Sequence, residues 1–356
     1  MNEFSYSLLV VEDDEQDRST WTRQIERHNI NAEETGGPTI DLFTVASEKD
    51  AYTAIDRRRF DAAIIDLRLD GNGENPADDG GNRVLEKILK SEIAIAALFT
   101  GQPDDASIPE YARRQVRVIT KGGGDGEGHT GAITWILENQ SLIDCIRQVT
   151  ARFTDVMAQI FHQSIWPRWS LWMDGKDPND AQFLLTAVAR HIASHAHDHF
   201  MLEGKDTAHP EEWYWVPARA GKLSTGDVVR NGDRIEIVVT PRCDLATQKI
   251  PHVQLVECDD LSQTWETLGR DKKATFLKNG RNHEHFIPKM NLSKEDSIGP
   301  LIVRFDKIRS VKRNEDDPNL TQEGIRVAAV SAPFLPSLVE RLGNYYSRIG
   351  SPDYSG

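Results

Sequence analysis

Hydrophobic and polar positions along the first third of the chain alternate between two periods. The apolar run "SLLVV" (7 to 11) predicts a buried strand, and "EQDRSTWTRQIER" (15 to 27) sets Trp21 and Ile25 four apart on a charged, helical segment. "IDLFTVAS", "EKDAYTAIDRRR", "DAAIIDLRL", "NRVLEKILK", "IAALFTG", the polar stretch around "PEYARRQ" and "VRVITKGGG" continue the pattern. Short apolar runs flanked by polar residues suit strands buried on both faces, so the alternation predicts a doubly wound, five-stranded parallel α/β sheet.

Further on the pattern changes. Residues 132 to 169 read as one or two helices, with Leu142, Ile146, Val149, Phe153, Val156, Ile160 and Phe161 at helical spacing. Such a stripe could serve as a lever or a dimer seam, but more often packs on its own domain. Trp166, Trp169 and Trp172 around Pro167 are expected to pack in a core or between domains. A second helix, 181 to 200, follows. From about residue 206, "EEWYWVP", "DRIEIVVTP", "HVQLVEC" and "PLIVRFDKI" predict strands, "STGDVVRNGDR" a turn, and 326 to 350 a strand and a closing helix carrying Leu335, Leu338, Leu342, Tyr345 and Ile349. The predicted organisation is residues 1–150, an α/β domain; 151–205, a helical connector; and 206–356, an α+β, β-rich output domain.

Composition narrows the setting. A net charge of -14 argues against a protein that is basic throughout. Cys145, Cys243 and Cys258 are too few and too scattered for a disulfide framework, no apolar stretch is long enough to span a bilayer, and the acidic start lacks a signal peptide's basic flank. The expectation is a cytoplasmic protein with no membrane contact.

The strand ends carry the candidate chemistry. The first predicted strand ends on Glu12 and Asp13, the third on Asp66, the fourth on Thr100 and Gly101, the fifth on Thr120 and Lys121. Ligands of open α/β sheets bind at this rim. Clustered carboxylates repel unless a cation sits between them, and Mg²⁺ prefers such oxygen donors; a hydroxyl and an ammonium complete a phosphoryl cradle.

With "VVEDD", "DAAIIDLRL", "LFTG" and "VITK" in this order and close to the usual spacing, residues 5 to 150 resemble the receiver domain of response regulators, the two-component signalling family of bacteria. The resemblance implies that Asp66 accepts a phosphoryl group from a histidine kinase or phosphotransfer protein. It implies that Glu12, Asp13, Asp66 and the backbone carbonyl of Arg68 hold Mg²⁺, that Thr100 bonds a phosphoryl oxygen, and that Lys121 pairs with its charge. Three features depart from the family pattern: the long "RLDGNGENPADDGGN" after Asp66, glycine instead of proline after Lys121, and Val118 where an aromatic switch residue is common.

Elsewhere the candidates are thinner. His191, His195 and His199 recur at steps of four, a spacing that can ligate zinc, although no "HExxH" is present. Cys243, His252 and Cys258 offer a Cys, His, Cys set at no standard spacing. Arg304, Lys307, Arg309, Lys312 and Arg313 could meet phosphates or form a solvated strand edge. The reading is a Mg²⁺-dependent response regulator, with self-phosphorylation of the receiver as its only chemistry. Its output domain is of unrecognised type and signals to a protein partner more than to nucleic acid; a homodimer fits this class. A DNA-binding regulator, or a metal-dependent effector enzyme whose receiver docks without phosphorylation, are the alternatives.

Overall fold

The computed structural model describes residues 5–69, 79–122, 124, 126–174, 181–202, 208–218, 223–247, 250–278, 282–313 and 324–348. The long segment after Asp66 that departs from the family pattern lies mostly outside them, at 70–78. The chain divides into two compact units, residues 1–201 and 202–356.

The first unit is built on β1 (Ser5–Val11), α1 (Glu15–Thr35), β2 (Thr39–Val45), α2 (Glu48–Arg57), β3 (Ala62–Asp66), α3 (Gly80–Ser91), β4 (Ile95–Thr100), β5 (Arg117–Thr120) and α4 (Gly128–Glu138). Every strand pairing is parallel and the order is β2-β1-β3-β4-β5. Successive side chains of a strand point to opposite faces, so two cores result. Leu8, Val10, Ile64, Ala97 and Phe99 pack with Trp21, Ile25, Ile133 and Ile136 on one face. Leu9, Val11, Ala63, Ile65 and Leu98 pack with Ala51, Ile55, Val84, Leu85 and Ile88 on the other. This is the predicted doubly wound sheet. Between β4 and β5 there are only 3₁₀ turns, Pro103–Asp105 and Glu110–Ala112, and Ala112 and Val116 cover the sheet where a helix would otherwise lie.

The connector begins with α5 (Gln140–Ile160), which passes through a π turn at Phe161–Ile165 and a 3₁₀ turn at Trp166–Arg168 into α6 (Trp169–Met173); α7 (Ala181–Leu202) follows. Pro167 lacks the N–H that a continued α-helix needs, which accounts for the break. Val156, Ile160 and Ile165 pack against Ala196, Val188, Ile192, Phe200 and Trp172. The expectation that the whole stripe packs on its own domain fails for part of it: Leu142, Val149, Phe153 and Phe161 are exposed, as are Trp166 and Trp169.

The second unit holds β6 (Tyr214–Trp215), β7 (Asp227–Asn231), β8 (Arg234–Val238), α8 (Arg242–Thr247), β9 (His252–Asp260), α9 (Arg270–Leu277), β10 (Glu284–Ile287), β11 (Met290–Asn291), β12 (Ser297–Ile298), β13 (Leu301–Lys312), β14 (Ile325–Val330) and α10 (Leu335–Tyr346). Seven strands form an antiparallel sheet in the order β10-β13-β9-β8-β7-β14-β6. One face and α10 make the larger core, in which Leu338 is fully buried and Leu335, Leu342 and Tyr345 pack, as the tail pattern predicts; Ile349 lies outside the described residues. Two expectations are corrected. "STGDVVRNGDR" turns at Thr225–Gly226 and again at Gly232–Asp233; its Asp227–Asn231 part is β7, because Val228 and Val229 are buried in the sheet. The strand before Cys243 stops at Val238, and Pro241 opens a turn into α8, so Cys243 and Asp244 are helical. Among the described residues no helix is long and apolar enough to cross a membrane.

One contact ties the fold to the rim of the sheet. Gly81, in the first turn of α3, donates its N–H to Leu67 O at 3.0 Å, and a Cβ there would stand 2.1 Å from Asp66 O and 2.6 Å from Leu67 Cα. Backbone on both sides leaves no flexible side chain to give way. Gly81→Ala is expected to destabilise the first unit by about 1–3 kcal/mol in urea unfolding. Gly101→Ala, whose Cβ would meet open space, should change it little.

Candidate functional site

The C-terminal ends of β1, β3, β4 and β5 converge on one carboxylate-rich pocket. Glu12 follows β1 and is almost fully buried, Asp66 ends β3 and is 8% exposed, and Thr100 ends β4, also buried. Lys121 follows β5 and is held there by its N–H, which donates to Thr100 O at 2.9 Å. Its Nζ reaches Glu12 Oε2 at 2.7 Å, Asp17 Oδ2 at 3.0 Å and Asp66 Oδ2 at 3.1 Å. One ammonium is thus shared by three carboxylates.

The loop between β1 and α1 is braced to present these groups. Asp14 caps α1, its Oδ1 accepting from Asp17 N at 2.8 Å, which turns the first helical turn toward the pocket. Arg18 NH1 donates to the carbonyls of Glu12 and Asp13 at 2.7 and 2.6 Å. Below the pocket, Lys121 Nζ lies 5.5 Å from the Phe99 ring centroid, and Phe99 packs with Trp21 and His129.

Electrostatics follow from burial and crowding. Burial, with the Asp66 charge next, pushes the Glu12 carboxyl up to about 8. Burial also raises Asp66, with the Asp13 charge adding to it and Lys121 opposing. Burial disfavours the Lys121 charge, but the carboxylates of Asp66, Glu12 and Asp17 outweigh it and the net shift is upward. His129 is pushed down by burial and stays neutral near pH 7. Burial is thus the first cause of both upward carboxyl shifts, and the lysine offsets it only in part.

Glu12, Asp13 and Asp66 each offer a carboxylate oxygen, and these atoms lie within 4.8 Å of one another. Hard oxygen donors at that spacing, in a pocket whose acids are pushed up by burial and by one another's charge, fit a divalent cation such as Mg²⁺. Arg68 stands next in the chain; its guanidinium bonds Asp105 Oδ2 at 3.1 Å, outside the carboxylate cluster. Thr100 Oγ1 accepts from Gln102 N at 3.0 Å, which leaves its own proton for donation.

The structure thus brings Glu12, Asp13, Asp66, Thr100 and Lys121 to one rim. Sequence reasoning missed Asp17 and Gly81. Asp17 carried a legible signal, three residues after a helix-capping aspartate and so on the helix's first turn. Gly81 carried none, because the close approach it permits depends on where α3 docks.

The other candidate sets do not assemble this way. Among the described residues the rim acids form the only group of three or more metal-ligating side chains. The His191 and His195 rings lie with centroids 4.4 Å apart at a tilt of 48°, whereas His199 packs on Phe200. His252 and Cys258 sit at opposite ends of β9, roughly 20 Å apart at the rise of an extended strand. Cys243 is exposed on α8, while burial raises the Cys258 thiol well above its ordinary value. Of the five basic residues, Arg304 bonds Asp259 and Asp306, Lys307 bonds Glu257 and Asp259, and Arg309 brackets Glu236. Arg313 is buried and donates to Leu245 O. Three of these basic residues, Arg304, Lys307 and Arg309, are thus paired with acids of the sheet.

No family model matches the chain, and no curated protein matches it. Solved structures do. A response-regulator receiver domain from Methylobacillus flagellatus is 21% identical over 33% of this chain and 88% of its own, with a TM-score of 0.25. A receiver-domain protein from Methanospirillum hungatei is 17% identical over 40% and 97%, with a TM-score of 0.28. A response regulator from Burkholderia pseudomallei, solved with a phosphorylated aspartic acid, a calcium ion and citrate, is 14% identical over 43% and 85%, with a TM-score of 0.26. On its own strand order, with acids, a threonine and a lysine at one rim, the N-terminal part of this chain has the fold of a response-regulator receiver domain.

Proposed function

We propose that the chain is a cytosolic two-component response regulator: residues 1–150 receive a phosphoryl group on Asp66 in the presence of Mg²⁺, residues 151–205 connect, and residues 206–356 act on a downstream partner. The observation that carries this reading is the Lys121 ammonium bonded at once to Asp66 and Glu12 at the C-terminal rim of a parallel sheet. A carboxylate nucleophile needs its charge exposed to an incoming phosphorus yet balanced by neighbours, and this pocket offers both.

In this reading Asp66 Oδ attacks the phosphorus of a phosphohistidine on the donor protein. The new P–O bond forms as the P–N bond breaks, and the imidazole leaves with a proton. Glu12, Asp13, Asp66 and the Arg68 carbonyl would hold Mg²⁺, which supplies charge neutralisation to the phosphoryl oxygens. Lys121 pairs with one phosphoryl oxygen and Thr100 donates its hydroxyl proton to another. Drawing Lys121 and Thr100 toward the new group changes what the ends of β4 and β5 present, and that change biases the unit between two states.

For the output, protein recognition is favoured over nucleic acid by the neutralised stripe at Arg304, Lys307 and Arg309. A gel shift of the full chain on duplex DNA, repeated at rising salt, decides between the two; salt-sensitive retardation would favour DNA.

Intact mass after incubation with a small-molecule phosphodonor and Mg²⁺ should show one added phosphoryl group on the wild type and none on Asp66→Asn. Asp17→Asn keeps nucleophile and metal ligands, so it should still be phosphorylated, whereas Lys121→Ala should lose most of the modification. Wild type left unmodified would sink the reading. Without phosphodonor, millimolar Mg²⁺ should raise the melting temperature of the wild type, and Asp13→Asn should lose most of that rise.

A further inference from the structure

The break between α5 and α6 borders a cavity that takes no part in the proposed phosphoryl transfer. It lies inside the first unit, against α7, and holds about 650 Å³. Sites for small organic molecules span roughly 300–1,000 Å³ and combine an apolar wall with a few polar groups. Both parts are present here. Leu171, Trp172, Phe183 and Leu184 form the wall, and Gln163, Ser164, Arg168, His191 and His195 bring polar side chains to it.

The base of the cavity is a packed core. Ile165, the last residue of the π turn, is fully buried with Val156, Ile160 and Ala196, and Trp172 packs on the same cluster. Gln163 and Ser164 stand in that π turn and Arg168 in the 3₁₀ turn after it, irregular backbone of a kind frequent at functional sites. Trp172 meets the His191 ring edge-on at 5.3 Å, and His191 lies 4.4 Å from His195.

The polar groups have a common sign. Among the described residues none of the five makes an ion pair or a side-chain hydrogen bond, and His191 Nε2 is buried without a partner. Imidazole, amide and hydroxyl can each donate a proton, and Arg168 adds a fixed positive charge. No aspartate or glutamate among the described residues lines the cavity, in a chain whose net charge is -14. Leu171 and Phe183 are 62% and 52% exposed, apolar surface that a ligand would take out of water.

We infer that this cavity binds a small aromatic carboxylate. The ring would lie against Trp172 and Phe183, and the carboxylate would meet Arg168, whose planar fork fits two carboxylate oxygens. One guanidinium among neutral donors balances a single negative charge, which suits a carboxylate and leaves a phosphate dianion half compensated. Two histidines fall short of the three or four protein ligands of a zinc site.

The site uses no residue of the carboxylate rim, so it stands or falls apart from phosphorylation at Asp66. Isothermal titration calorimetry of the full chain, without phosphodonor, compares 2-naphthoate with its neutral isostere 2-naphthamide. Naphthoate should bind one per chain, equally in wild type and Asp66→Asn, and ~10-fold tighter than the amide, as loss of a charged hydrogen-bonded pair implies. Arg168→Gln should weaken naphthoate by ~10-fold and leave the amide unchanged. Ala187→Trp, which fills the cavity, should abolish both, whereas Arg190→Gln, a cation of α7 outside the cavity, should bind as wild type does. Inorganic phosphate should not displace naphthoate. No binding at millimolar naphthoate, equal affinity for acid and amide, unchanged affinity in Arg168→Gln, or binding only with added Zn²⁺ would overturn the inference.

Discussion

A single half-buried ammonium holds the carboxylate-rich end of the first unit together. Lys121 is the shared counter-ion of Glu12, Asp17 and Asp66, which come from the end of β1, the first turn of α1 and the end of β3. Its own backbone N–H is tied to β4 through Thr100. Four elements of the rim therefore meet at one side chain. Without that charge the three acids would face one another in a poorly hydrated pocket, where like charges at hydrogen-bonding distance drive each other toward protonation. Even with Lys121 in place, burial first and the Asp66 charge next push the Glu12 carboxyl up to about 8. Such a pocket has a standing affinity for positive charge, and an oxygen-lined cluster favours a hard dication over a second lysine. In the proposed reaction the same property makes Asp66 a receptive nucleophile.

Much of this was legible in the sequence because parallel strands announce themselves. A run such as Ala62 to Asp66 must be buried on both faces, and the chain order then places its last residue at the rim with the ends of the other strands. The rim residues could be named before any contact was known. Asp17 was less visible, since a first-turn aspartate ordinarily serves the helix dipole; only the cap at Asp14 and the reach of Lys121 turn it inward. Gly81 was invisible, because the steric demand at α3 comes from the carbonyls of Asp66 and Leu67, fifteen and fourteen residues earlier.

The second unit was read less well for a physical reason. β7 was taken for a turn because its Asn231-Gly232 pair is a strong turn signal, and that turn is real but closes a hairpin whose first strand is β7. Its neighbours depend on side chains far apart in sequence: Asp227 bonds Arg326, and Glu236 bonds Arg309. Pairing at separations of 73 and 99 residues leaves no local pattern. Pairing of the basic run at 304 to 313 was equally illegible, since most of the acids that bond it lie on β8 and β9.

The connector shows where local pattern and tertiary burial part company. Helical periodicity in α5 predicts an apolar stripe but not its cover, and only the C-terminal half is covered by α7. α5 directly follows α4, and its Ile143 belongs to the same core as Trp21 and Phe99, the rings beneath Lys121. Packed interiors transmit small displacements because they have few voids to absorb them. A change at Lys121 that moved Phe99 would press on that core and so on the helix that carries the exposed stripe. The N-terminal half of α5 is thus mechanically joined to the carboxylate pocket through a few contiguous side chains of one core.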